Sequence, residues 1–300
     1  MNEVDVQFAV GLPAGSSIQR CVVERRSTHF APVKGWFFTH VMHVLLFAIV
    51  GTIFASFANV VASRGPRKWQ LVPSDDKPTG LAYPPSQCET CGHPLATRDL
   101  IPIVSYLILR GRCRHCGSRF SPRHLVVELL GATLGLLIAL RFGLSAEAGF
   151  GALLAFGLLT LAVIDAETGF LPDAITWPLV GAGLVVSIAP GGVSFFGSAL
   201  GAALGGGGLW LISTGYKALR GRDGLGGGDV KLVAAGGAWC GAYALPFILL
   251  AASLAGLLFA AAMMLAGRKE TALSAELRFG PFLSTAIAVV FFVGPPLMLV

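Results

Sequence analysis

LLAFGLLTLAVID, residues 153–165, is apolar along almost its whole length and ends abruptly on a carboxylate, Asp165. A second stretch, GLGGGDVKLVAAGGAW (residues 224–239), places Asp229 where the chain re-enters an apolar run. Only 13% of the 300 residues are charged and 54% are hydrophobic, whereas a soluble domain carries about 25% charged residues. Such runs therefore read as membrane-spanning helices, each needing roughly 20 predominantly apolar residues. A carboxylate beside hydrocarbon is costly, and where one persists it usually has a task.

Extending this reading outward gives an all-α polytopic membrane protein with about eight transmembrane helices. The expected spans are 36–62, 125–141, 149–165, 172–190, 195–214, 229–245, 246–266 and 281–299. The division between the sixth and seventh rests on Gly241, Pro246 and the short gap between them. The first span is not read as a cleaved signal peptide, because its apolar run is too long and begins too far from the amino terminus, although Val60-Val61-Ala62 resembles a cleavage site. Four regions follow: a 1–35 extension expected to be disordered, the 36–62 helix, a polar 63–124 domain and a 125–300 membrane domain.

Cationic residues set the orientation. Residues 63–124 hold ten Lys and Arg, among them Arg64 and the basic run 110–114. Residues 215–231 add Lys217, Arg220, Arg222 and Lys231, and 267–280 add Arg268, Lys269 and Arg278. The intervening loops contain only Arg141. With eight spans the three basic loops share one side, which the positive-inside rule makes the cytoplasm. Asp165 and Asp229 face that side, and both termini lie outside. Arg20, Arg25, Arg26 and Lys34 in the extension oppose this orientation. The net charge of +6 calls for no nucleic acid, because loop bias and anionic headgroups of the lipid bilayer account for it.

Within the polar domain, Cys88-Glu-Thr-Cys91 and Cys113-Arg-His-Cys116 stand 21 residues apart. Paired C-x2-C knuckles followed by glycine have the spacing of a four-thiolate zinc site. A reducing cytoplasm disfavours the disulfide alternative. Four sulfurs leave no open coordination position, so the zinc is expected to be structural. His93 and His115 read as neighbours rather than ligands, and Cys21 and Cys240 as small apolar residues.

Asp165 opens a short connection, Asp-Ala-Glu-Thr-Gly-Phe-Leu-Pro-Asp, in which Glu167 reads as a solvated loop acid and Asp173 as a candidate helix cap. Gly226 and Gly228 permit close backbone approach ahead of Asp229. Lys231 either helps hold Asp229 ionised or anchors the helix at the headgroups. Two carboxylates at one boundary could share a proton and activate water, as in aspartic peptidases. They could equally form a proton or cation relay in a transporter. Glycines 201–208 and the Gly236-Gly237 pair are expected at close helix crossings.

Several motifs together resemble the type IV prepilin peptidases, the bacterial leader peptidases of pili and type II secretion. They are GTIFASFANVVASRGP (51–66), CETC and CRHC around IPIVSYLILRGRCRHC (101–116), SPRHLVVELLG (121–131), IDAETGFLPDAIT (164–176), GGGDVKLVAAGGAWCG (226–241) and FGPFLS (279–284). The resemblance implies an inner-membrane aspartic endopeptidase of the GxGD type that removes the leader of prepilins and pseudopilins after a glycine, on the cytoplasmic side. Asp165 and Asp229 are then the catalytic pair. It also implies methylation of the new amino terminus with S-adenosylmethionine; Glu128 reads either as a residue of that transfer, which the resemblance favours, or as a helix-packing polar group. The glycine-rich 224–228 stretch and Pro281 are expected gate elements. Ala58, where the family usually has a leucine-like residue, and the long extension are the departures. A transporter would show paired internal repeats, and none is seen; a zinc-dependent scaffold would depend on Cys88 more than on Asp165.

Overall fold

The computed structural model describes residues 33–72, 80–189, 192–222, 224–267 and 278–294, with side chains from residue 41 onward. The first 32 residues, with Cys21 and three of the four opposing cations, lie outside the described part. Among the described residues the protein is all-helical, with two isolated antiparallel bridges and no strand.

The helices are α1 (Val33–Lys68), α2 (Val104–Ile108), α3 (Pro122–Phe142), α4 (Ala146–Thr168) and α5 (Asp173–Val186), followed by α6 (Phe195–Ala202), α7 (Leu209–Arg220), α8 (Gly227–Cys240), α9 (Leu245–Leu265) and α10 (Gly280–Val293). A π-helical segment over Ala203–Gly208 joins α6 to α7 into one rod. Five segments are long and apolar enough to cross a membrane: Val41–Lys68, Pro122–Phe142, Ala146–Thr168, Phe195–Arg220 and Ala242–Leu265. α5 and α10 are shorter apolar helices of 14 residues, and α8 has the same length. The expected spans at 172–190, 229–245 and 281–299 thus correspond to helices too short for the 20-residue criterion. Gly241, at φ +82°, ends α8 where the gap was expected.

Local sequence explains the helix ends. Ser121, Ser145 and Ser194 accept backbone amides at the starts of α3, α4 and α6, satisfying donors that a helix leaves open. Gly169, in the left-handed region, closes α4.

The core surrounds α8, which is buried from Val230 through Trp239 apart from Lys231. Trp239 donates to the Leu179 carbonyl at 2.8 Å, and Ser198 to the Ala238 carbonyl at 2.5 Å, pinning α8 between α5 and α6. Small residues permit the tightest crossings, as membrane helices require. A Cβ on Gly201 would lie 2.3 Å from the Gly237 carbonyl oxygen, and one on Gly51 2.3 Å from that of Gly131. The outer faces present Leu45, Ile49, Ile53, Leu250 and Leu257, apolar side chains suited to lipid rather than water. The result is a membrane protein whose most buried helix carries Asp229 in its first turn.

Candidate active site

The two aspartates arrive from opposite helix polarities. Asp165 lies in the last turn of α4, 5% exposed. Asp229 lies in the first turn of α8, where the helix dipole favours negative charge. The connection after Asp165 and the start of α8 are in contact, which brings the two carboxylates to the same end of the bundle.

Glycines make this approach possible. A Cβ on Gly228 would fall 2.9 Å from that of Leu171, so the glycine lets the start of α8 rest on the connection that follows Asp165. Gly226 is the residue preceding α8, and a Cβ there would come within 3.2 Å of Asp229 Oδ2.

The start of α10 completes the surroundings of Asp165. The Gly280 amide donates to Asp165 Oδ2 at 3.1 Å, and a Cβ on Gly280 would sit 2.6 Å from that oxygen. The Arg278 guanidinium donates to the Ala166 carbonyl. Sequence reasoning quoted FGPFLS but missed Gly280 and Arg278 as neighbours of the aspartate. The available signal was a Gly-Pro step opening an apolar helix, since proline favours the first helical turn.

Three expectations change in detail. The Lys231 ammonium pairs with Asp173 across the start of α5, so its closest acid is not Asp229. Asp173 is the first residue of α5 rather than its cap; Pro172 precedes it. Glu167 is not a free loop acid: it is half-buried and paired with Arg123 at the start of α3. These contacts gather the starts of α3, α5, α8 and α10 and the end of α4 at one end of the bundle.

The cysteine domain lies against that same end. Gly92 (φ +68°) and Gly117 (φ +70°) supply the left-handed turn after each knuckle, and their amides return to the carbonyls of Cys88 and Cys113. All four sulfurs lie within 4.8 Å of one another, with Cys88 and Cys116 Sγ 3.8 Å apart. Tetrahedral zinc with Zn–S bonds of about 2.3 Å separates its sulfurs by roughly 3.8 Å. The four side chains therefore fit a metal ion. His93 and His115 pack against each other with tilted rings, 3.5 Å between centroids, beside the cluster. Arg114 bonds Asp99 at 2.7 Å and holds its carboxyl below the usual range.

Glu128, the residue expected for methyl transfer, is 9% exposed, and its Oε2 accepts the Ile103 amide at 2.7 Å. That is a packing contact between α3 and the cysteine domain. Arg64, near the end of α1, donates to the carbonyls of Gly80, Leu81, Pro84 and Pro85 and so anchors that loop.

Fold and site together define a polytopic helical membrane protein with a converging carboxylate pair and a four-cysteine cluster able to hold a metal. Residues 49–142 match the bacterial Peptidase A24 N-terminal domain, and residues 152–261 match the type IV leader peptidase family. A prepilin leader peptidase/N-methyltransferase of Neisseria gonorrhoeae is 38% identical over 262 residues, covering 83% of this chain and 90% of that protein. One of Burkholderia pseudomallei is 39% identical over 273 residues, covering 85% and 87%. One of Aeromonas hydrophila is 37% identical over 257 residues, covering 81% and 87%. No solved structure matches. The chain belongs to the type IV leader peptidase family.

Proposed function

We propose that the protein is a prepilin leader peptidase and N-methyltransferase: it cleaves prepilin and pseudopilin precursors after a glycine and methylates the exposed amino terminus. The observation that carries the peptidase reading is that the end of α4, with Asp165, and the start of α8, with Asp229, meet at one end of the bundle, Gly228 resting on Leu171. The names of the relatives from Neisseria gonorrhoeae and Burkholderia pseudomallei, whose matches cover over four-fifths of the chain, support both activities.

In this reading one aspartate is ionised and takes a proton from a water held between the pair. The other, protonated, donates to the scissile carbonyl, because two close carboxylates cannot both ionise cheaply. The protons belong to the pair rather than to either residue. Gly280 fixes the rotamer of Asp165 through its amide. A substrate helix must unwind locally to present its peptide bond, and Gly226, Gly228 and Pro281 stand where such a segment would enter.

The bundle crosses the inner membrane eight times in this reading, with α5, α8 and α10 as short crossings at a locally thinned or protein-lined region. The basic loops support a cytoplasmic site. Zinc is the metal suited to four thiolates, with a structural role in the 63–124 domain. S-adenosylmethionine supplies the methyl group; because Glu128 is engaged by Ile103, no step of that transfer is drawn through it.

The test is incubation of the purified protein in lipid with a prepilin and S-adenosylmethionine, followed by mass spectrometry of the mature amino terminus. Loss of the leader with addition of one methyl group supports both activities. An uncut precursor contradicts the peptidase reading, and a cut but unmethylated product contradicts the second.

A further inference from the structure

The cysteine domain carries an apolar surface that neither active-site chemistry nor metal binding uses. Leu107 and Ile108 on α2 are 63% and 70% exposed, and Leu100, Ile101 and Val104 are also exposed. Glu128 fixes the height of this surface. Its Oε2 holds the Ile103 amide, and Glu128 lies six residues into α3, a membrane-crossing segment that starts at Pro122. Six residues are about 9 Å of helix, the depth of about 5–10 Å at which interfacial apolar side chains settle. The segment therefore packs alongside α3 within two turns of its start, at a height that matches this depth if the leaflet boundary lies near Pro122.

Beside it opens a cleft of about 540 Å³ lined by Arg110, Arg112 and Arg119 together with Tyr106, Phe120 and Pro122. Pro122 places the cleft at the membrane end of α3. Asp99 is the only acid between residues 98 and 119, and Arg114 already pairs with it. The three arginines thus line a cleft beside the start of α3, and cations of this kind are attracted to anionic lipid headgroups.

We propose that residues 100–108 are an interfacial membrane anchor: their apolar side chains enter the leaflet from which α3 starts, and Arg110, Arg112 and Arg119 bind its anionic headgroups. The cysteine domain then lies on the bilayer instead of projecting from it, which keeps it beside Arg123 and Glu167.

The test uses the full chain in nanodiscs, with a nitroxide attached through p-acetylphenylalanine substituted at Leu107, leaving every cysteine intact. Power-saturation spectroscopy compares access by oxygen, which concentrates in lipid, with access by a water-soluble nickel chelate; a label at lipid-facing Leu45 is the reference. The expected result is oxygen access near that of the reference, nickel access largely lost, and no change when prepilin is added. In phosphatidylglycerol nanodiscs the R110Q/R112Q/R119Q variant should regain nickel access, and wild type should do the same in phosphatidylcholine alone. Free nickel access in wild type with anionic lipid overturns the anchor. Shielding from both reagents means a protein surface covers the patch, and also overturns it. Indifference to both the arginine variant and lipid charge overturns the headgroup assignment. Retained metal and prepilin cleavage in the labelled protein establish that the label has not unfolded it.

Discussion

Gly280 and Asp165 touch: the glycine amide donates to Oδ2 at 3.1 Å, and the space where a Cβ would stand is already filled by the carboxylate. The start of α10 is thus both a hydrogen-bond donor to the aspartate and a wall against it. G280A should displace the carboxylate. Overpacking of this kind costs about 1–3 kcal/mol, and about 1.4 kcal/mol is a factor of ten in rate. A ten- to hundredfold loss of prepilin cleavage, roughly on that scale, is expected in a protein that still inserts, measured as initial rates in nanodiscs. Wild-type rates in G280A would remove Gly280 from the site.

The Arg123–Glu167 pair joins the start of α3 to the turn after Asp165. R123Q leaves Glu167 half-buried without its partner, at a cost of about 1–3 kcal/mol, between the exposed and buried limits. Thermal stability and cleavage should both fall, and the swapped R123E/E167R protein should recover part of each. No recovery in the swap would show that the pair itself is not what joins the two elements.

Lys231 pairs with Asp173, and such partly exposed pairs contribute about 0–1 kcal/mol. K231M is therefore expected to cleave within about fivefold of wild type with an unchanged pH profile. A displaced pH profile would instead restore the sequence reading in which Lys231 holds Asp229 ionised.

Removing one thiolate should release the metal. C88S and C113S are expected to lose bound zinc, and residues 80–121 should become sensitive to limited proteolysis, because metal affinity of this kind is folding free energy. Metal analysis of the purified protein reads the first outcome and peptide mapping the second. Metal-free wild type with an intact protease-resistant domain would contradict the assignment.

Helix existence was legible because hydrocarbon demands long apolar runs, and the gap at Gly241 was legible from its glycine and the proline beyond. The cysteine knuckles were equally plain, since metal geometry constrains spacing within a few residues. Helix length was less so: α5, α8 and α10 end early where Ser187, Gly241 and Gly294 follow them. Apolarity continues past those points, so composition alone extends the helices too far. Side-chain ion pairs between remote segments were not legible. Glu167 looks like any loop acid until α3 brings Arg123 to it, and nothing near Asp229 reveals that Lys231 turns toward Asp173. The Gly131–Gly135 spacing did carry a signal for the α1–α3 crossing, because small residues four apart mark close membrane helices.

The central claim is that Asp165 and Asp229 act jointly on one peptide bond, and single-aspartate variants test it most directly. D165N and D229N, each reconstituted with a prepilin, should show no leader removal by mass spectrometry. One acid–base group accounts for about 10²–10⁴ in rate, and neither amide can exchange the shared proton. Both proteins should insert and retain their metal. Full leader removal by either variant would contradict the account.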